Sequence, residues 1–194
     1  MIELPRIPVD LDPVRLAERA GVPAAVVEGV LAVIRSDLRP AALFLETRPE
    51  EILTAEQSAA FTEKITAGLA VLGPGTWDAA PSGVDRESFS AVVRVLWAEV
   101  LGFVEYRIRQ YLKPAGRSPG ERIIPGCPGL PLAVNRNILE LVDPERRLGV
   151  EVGPDGVIDG SGGLAFIYPT QGLQPAPGLC AACSRADCPS RKLL

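Results

Sequence analysis

Histidine is absent from this chain of 194 residues. That removes the commonest general base and the commonest nitrogen ligand of zinc. A Ser-His or Cys-His nucleophile is excluded with it, as is zinc held by cysteine and histidine together. Cysteine is scarce, at four residues, so a metal centre here would be all-thiolate or thiolate plus carboxylate. The chain also lacks any Lys/Arg-rich block, and its formal net charge is −4 with a pI near 5.0. Both features argue against a nucleic-acid-binding surface. No apolar run reaches the length of about eighteen residues that a membrane-spanning helix needs. The start, "MIELPRIPVDLD", is acidic and broken by prolines, without the basic and apolar regions of a secretory signal. The expectation is a soluble, cytoplasmic protein with neither a membrane nor a nucleic-acid partner.

What is present is enough for a core: 47% of residues are hydrophobic, in a chain of one-domain length. The composition divides it into a domain over 1–170 and a cysteine-rich tail over 171–194. After a short extended start, "VDLDPVRLAERAGV" predicts a helix opened by Asp12 and Pro13 and closed by Gly21. "PAAVVEGVLAVIRSDLRP" predicts a second helix, ended by Pro40. "AALFLET" predicts a short strand. "TAEQSAAFTEKITAGLAVLG" predicts a helix with Thr54 and Gln57 at capping-box spacing. Apolar residues at helical spacing predict a long helix from near Asp85 to Pro114, with Phe89, Val92, Val93, Leu96, Val100, Phe103, Val104 and Ile108 on its core face. Trp97 is expected to be packing. "PAGRSPGERIIPGCPGLP" is a constrained loop, dense in proline and glycine. "LAVNRNILELVD" predicts a short amphipathic helix, and "RLGVEVGPDGVIDGSGGLAFIYP" two strands around a "GPDG" turn. The whole reads as α+β, helices first and strands late: a twisted antiparallel sheet with helices packed against it.

Two stretches can carry chemistry. Cys180, Cys183 and Cys188 form a C-x2-C-x4-C run in "GLCAACSRADCPSRKLL". Two intervening residues let a chain turn back so that both thiolates reach one metal ion or cluster. A closed tetrahedral zinc site or a complete 4Fe–4S cluster needs a fourth ligand, and Cys127 is the remaining cysteine. The lack of histidine and the proline after Cys188 favour iron–sulfur over zinc. The plainer alternative is a set of reduced thiols in a tail. The second stretch is "RIIPGCPG". Arg122 carries a permanent charge and a rigid donor fork suited to a carboxylate. Gly126 lets the backbone approach a ligand closely.

From "RIIPGCPGLPLAVNRNILELVDPERRLGVEV" onward the chain resembles the reactivation domain of cobalamin-dependent methionine synthase, and the small stand-alone proteins related to it. Arg122-Ile-Ile-Pro-Gly126-Cys127 falls on the family's Arg-x-x-x-Gly-Tyr motif, with Cys127 in the tyrosine position. "NRNILELVDPERRLGVEV" is similar to the family's short helix and following strand, and "SGGLAFIYP" to its serine–glycine-rich strand. "CAACSRADCPSRK" is similar to the tail that closes the stand-alone members.

The resemblance implies binding of S-adenosylmethionine, whose methyl group is presented to oxidised cobalamin after a one-electron reduction. It implies that Arg122 grips the methionine carboxylate and that the Gly126 backbone holds the ligand. An acidic helix residue at the cofactor has its approximate counterpart in Glu99. Cobalamin would arrive on a partner, a corrinoid-binding methyltransferase subunit. An iron–sulfur cluster on Cys180, Cys183, Cys188 and Cys127 would relay the electron. Two other readings stand beside this one. The chain is a non-catalytic corrinoid-protein-binding module with a structural zinc on those cysteines, or it is a thiol-bearing domain whose tail senses redox state. Cys127 itself is either the fourth ligand or a small buried apolar residue.

Overall fold

The computed structural model describes residues 1–61, 64–73, 80, 82–153, 158 and 162–170. Four strands, β1 (Ile2–Leu4), β2 (Ala41–Thr47), β3 (Ile65–Val71) and β4 (Leu164–Pro169), form one sheet in the order β1-β2-β3-β4. All three pairings are antiparallel. The α+β class is therefore as expected, but the strands are not late: three of them precede residue 72.

The largest correction falls on "ITAGLAV", expected within a helix and found as the inner strand β3. The capping box is real, with the Thr54 side chain accepting from the Gln57 N–H and the Gln57 side chain from the Thr54 N–H, yet it opens a single turn, α3 (Ala55–Ser58). Every residue of β3 is buried, because helices cover both faces of the sheet. An uninterrupted apolar run has neither a helical nor a strand period to read.

The other helices follow their local signals. In α1 (Pro13–Ala20) the Asp12 carboxylate accepts from the Val14 and Arg15 N–H groups, and Gly21 closes the helix in the left-handed region. The second helix, α2 (Ala24–Ile34), ends at Arg35, several residues before Pro40. The long helix α4 (Arg86–Leu112) begins at Asp85, whose carboxylate accepts from the Ser88 N–H. Such caps contribute about 1 kcal/mol each. Phe103 and Trp97 are only partly buried, while the other expected core residues of α4 are fully so. Later come α5 (Val134–Val142) and α6 (Pro144–Leu148). Of the expected late hairpin, one bridge between Val152 and Ile158 is described, and the "GPDG" turn lies outside the described residues.

Alternation along the strands sorts two cores. Ala42, Phe44, Ala70, Phe166 and Tyr168 face α1, α2 and α4. Ile65, Ala67, Ala165 and Ile167 pack with Ile123, Leu130, Val134 and Ile138 on the other side. Ala41, Leu43, Leu69 and Val71 meet Leu139 and Val142 of α5 there. At the centre of the first face, Gly68 is paired with Phe44 on one side and Phe166 on the other. A Cβ at Gly68 would lie 2.7 Å from Phe166 Cζ and 2.8 Å from Phe44 Cβ, and closer still to the Leu43 carbonyl oxygen.

Gly68→Ala is therefore expected to lower stability by at least about 1–3 kcal/mol through overpacking, read as a fall in the thermal midpoint. Gly102→Ala is the contrasting change: it lies on the exposed side of α4 with nothing within 4 Å of an added Cβ. It is expected to raise stability by about 0.5–1 kcal/mol.

Candidate functional site

The loop that carries Arg122 lines the open side of β4. Ile123 and Ile167 exchange both backbone hydrogen bonds, each at 2.8 Å, and Pro119 bridges to Thr170. These contacts pair a strand edge that would otherwise expose a row of backbone donors and acceptors. One step along this antiparallel register, Arg122 stands opposite Tyr168. Such a pair, next to a hydrogen-bonded one, brings its side chains close together on the same face. That face is the one covered by α4, because Ile123 and Ile167 point to the other.

The same register continues across the sheet. Tyr168 pairs with Thr66, and Thr66 with Glu46. Glu46, Thr66, Tyr168 and Arg122 thus make one polar row over four chain segments, at the end of a face that is otherwise apolar. Its polar atoms are incompletely matched. The Thr66 and Tyr168 hydroxyls are buried without a partner at hydrogen-bond geometry. Each such group costs about 1–3 kcal/mol if nothing bonds to it.

Tyr168 is fully buried. Burial pushes its phenol up to about 12, with the Arg122 guanidinium pulling it down and the Glu105 carboxylate of α4 raising it further. The phenol stays protonated and neutral throughout the physiological range, an O–H between a cation and an anion.

At the far end of the row, Glu46 Oε1 lies 2.7 Å from Lys64 Nζ and Glu46 Oε2 lies 2.7 Å from Arg117 Nη2. The second contact is an ion pair set off the hydrogen-bond axis, since that oxygen lacks a donor at good angle. Burial alone would raise the Glu46 carboxyl, but its close contacts with the Lys64 and Arg117 cations outweigh it and hold the carboxyl below its usual value of 4.5.

Three expected site residues share this loop. Arg122 is half-exposed. Gly126 takes φ of 95°, a left-handed conformation that glycine adopts without strain, and its N–H donates to the Leu130 carbonyl at 2.7 Å. Cys127 is 6% exposed and packs with Ile124 and Leu164. Leu164 lies four residues before Tyr168 on β4, about 13 Å along the strand. Cys180, Cys183 and Cys188 lie outside the described residues.

Glu99 accepts the Asp10 N–H at 2.8 Å and pairs with Arg19, tying α4 to the N-terminal segment. The α4 carboxylate that acts on Tyr168 is Glu105, about two helical turns later. Sequence reasoning missed Glu105, Tyr168, Thr66 and Glu46. The aromatic near the end of "SGGLAFIYP" was a signal for Tyr168, but only strand pairing sets it against Arg122.

No family model and no curated protein matches this chain.

The Glu46 ion pairs give a pH prediction. Because its carboxyl is held low in the folded protein, its contribution to stability is present above the usual value of 4.5 and is lost as pH falls through the lowered value. Glu46→Gln is expected to be less stable than the unaltered chain at neutral pH, with a shallower loss of stability towards acid. Urea midpoints measured across the acid range check both, and parallel curves would remove Glu46 from the acid response.

Proposed function

We propose that this chain is a reductive activation partner of a corrinoid (cobalamin)-dependent methyltransferase such as methionine synthase. In this reading it binds S-adenosylmethionine at the Arg122 loop. It receives cobalamin on a partner subunit and relays an electron through an iron–sulfur cluster held by the tail cysteines. The observation that carries the reading is the Arg122–Tyr168 pair. A half-exposed guanidinium fork, opposite a neutral phenol and near the Glu105 carboxylate, is chemically matched to a zwitterionic amino-acid group. Arg122 takes the ligand carboxylate in a bidentate, charge-assisted contact. The buried Tyr168 phenol supports the guanidinium from within the sheet, and Glu105, paired with Arg109 at 2.9 Å, adds a carboxylate for the ammonium. Gly126 leaves room for the ligand beside the backbone.

Among the described residues no cluster of metal-ligating side chains occurs, and the thiolates invoked lie in the tail, outside those residues. Cys180, Cys183 and Cys188 are the proposed cluster ligands, with Cys127 as the fourth. When bound, the cluster would supply single-electron chemistry. Arg122, Tyr168 and Glu105 would only bind and orient the methyl donor.

Anaerobically purified protein is expected to be brown, to absorb at about 400 nm and to bleach with dithionite. Metal and sulfide analysis checks this. Stoichiometric zinc in a colourless protein would instead favour the corrinoid-protein-binding module with a structural zinc. A metal-free preparation after reconstitution with iron and sulfide would remove both. Unchanged iron in Cys127→Ser would take Cys127 out of the ligand set.

By calorimetry, Arg122→Ala is expected to abolish S-adenosylmethionine binding. Tyr168→Phe is expected to weaken it by about tenfold or more, the loss of one hydrogen bond to a charged group. No heat with the unaltered protein would end the methyl-donor role and leave electron delivery.

A further inference from the structure

The second feature of this molecule that calls for a ligand is at the opposite end of the sheet from Arg122. A cavity of about 800 Å3 lies between the segment that follows β1 and the turn that joins α2 to β2. Its walls are fixed. Pro5 and Pro8 hold the first segment extended, and the buried Ile7 pins it by donating its N–H to the Pro40 carbonyl at 2.7 Å. Across from it, the Arg39 N–H donates to the Leu72 carbonyl at 2.8 Å.

Arg6, Arg35 and Arg39 all line this cavity, and among the described residues no carboxylate does. Among the described residues none of the three arginines forms an ion pair. Elsewhere Arg15, Arg19, Arg109, Arg117, Arg136 and Arg147 each meet a carboxylate, while other unpaired arginines such as Arg48 and Arg146 stand apart from this cavity. The nearest acid in sequence, Asp37, takes the Ser36 hydroxyl instead. Arg35 caps the C-terminus of α2, where a cation is favoured by the helix dipole. Arg6 and Arg39 have no such reason to be there. Three like charges around one concavity, in a chain of net charge −4, focus a local positive potential that an anion would relieve.

We propose that this cavity binds a small organic polyphosphate of nucleotide size. Phosphate oxygens suit the planar guanidinium forks, which bind them bidentately. Val9, Leu11 and Leu38 give the same cavity an apolar wall for a ring or other apolar moiety. Its volume is within the range of small-molecule sites, about 300–1,000 Å3. The concavity favours a free ligand over a flat phosphate-bearing surface. The site is separate from the Arg122 loop and does not depend on what that loop binds.

The test is calorimetry on the full chain with adenosine triphosphate and with inorganic tripolyphosphate. Adenosine triphosphate is expected to bind, more tightly than tripolyphosphate, and less tightly as salt is raised. Arg6→Glu/Arg39→Glu is expected to weaken binding by about 100-fold, given that each charge-assisted contact is typically worth tenfold or more. Arg48→Glu/Arg146→Glu, which makes the same change in net charge at exposed positions away from the cavity, is expected to leave affinity within about twofold. Matching circular dichroism and thermal midpoints keep the two double variants comparable. Equal losses in both, or no heat from either polyphosphate, overturns the proposal. Sedimentation with phosphatidylglycerol vesicles in the absence of any heat with adenosine triphosphate would assign the arginines to a lipid surface and overturn the free-ligand site.

Discussion

The close approach at Gly68 governs how this sheet meets its helices. Phe44 and Phe166 flank a position with no side chain, where an added Cβ would meet both, and both pack in the core shared with α4. Each fully buried ring contributes about 1.5–3 kcal/mol. Phe44 also meets the ring of Tyr111, near the C-terminal end of α4, edge-on at 6.1 Å. Phe166 meets Tyr168 at 5.5 Å. The seating of α4 therefore decides which of its residues lie over the next row of the sheet. Glu105 comes near Tyr168 as a result, and Glu99 is left to the N-terminal segment.

That next row is where hydrophobic burial gives way to polar chemistry. Glu46 is held by two cations, while Thr66 and Tyr168 are sealed with their hydroxyls unmatched. A core optimised for stability alone would place apolar residues at these points. The unmatched groups lie under the half-exposed Arg122, which is where a binding site would draw on them. At the other end of the same strands the imbalance is one of charge, with three arginines and, among the described residues, no carboxylate about one cavity. Between the two ends the strands carry aliphatic and aromatic packing.

The legible parts of this protein were those in which the signal is local. The Asp12 and Asp85 caps, the Gly21 stop and the apolar stripe of α4 each involve residues within one or two helical turns. The capping box at Thr54 was legible for the same reason, and misleading, because a good helix start says nothing about how far the helix runs. "ITAGLAV" reads equally as either element until the sheet provides neighbours on both sides. Arg122 and Gly126 could be singled out by residue type within a constrained loop. Tyr168, Thr66 and Glu46 could not, since their association exists only through register.

By itself the sequence determined the α+β class, the helix boundaries marked by caps, and a metal-ligand inventory without imidazole that follows from the absence of histidine. It also determined that "RIIPGCPG" would be a constrained loop. Tertiary structure decided that β3 is a strand and that Cys127 is packed with Ile124 and Leu164. It decided too that Arg122 stands opposite a neutral phenol and that three arginines distant in sequence share one cavity. The physical reason is the range of the forces involved. Caps and periodicity act over a few residues and are written locally, whereas strand register and the seating of α4 are set by burial of the whole sheet.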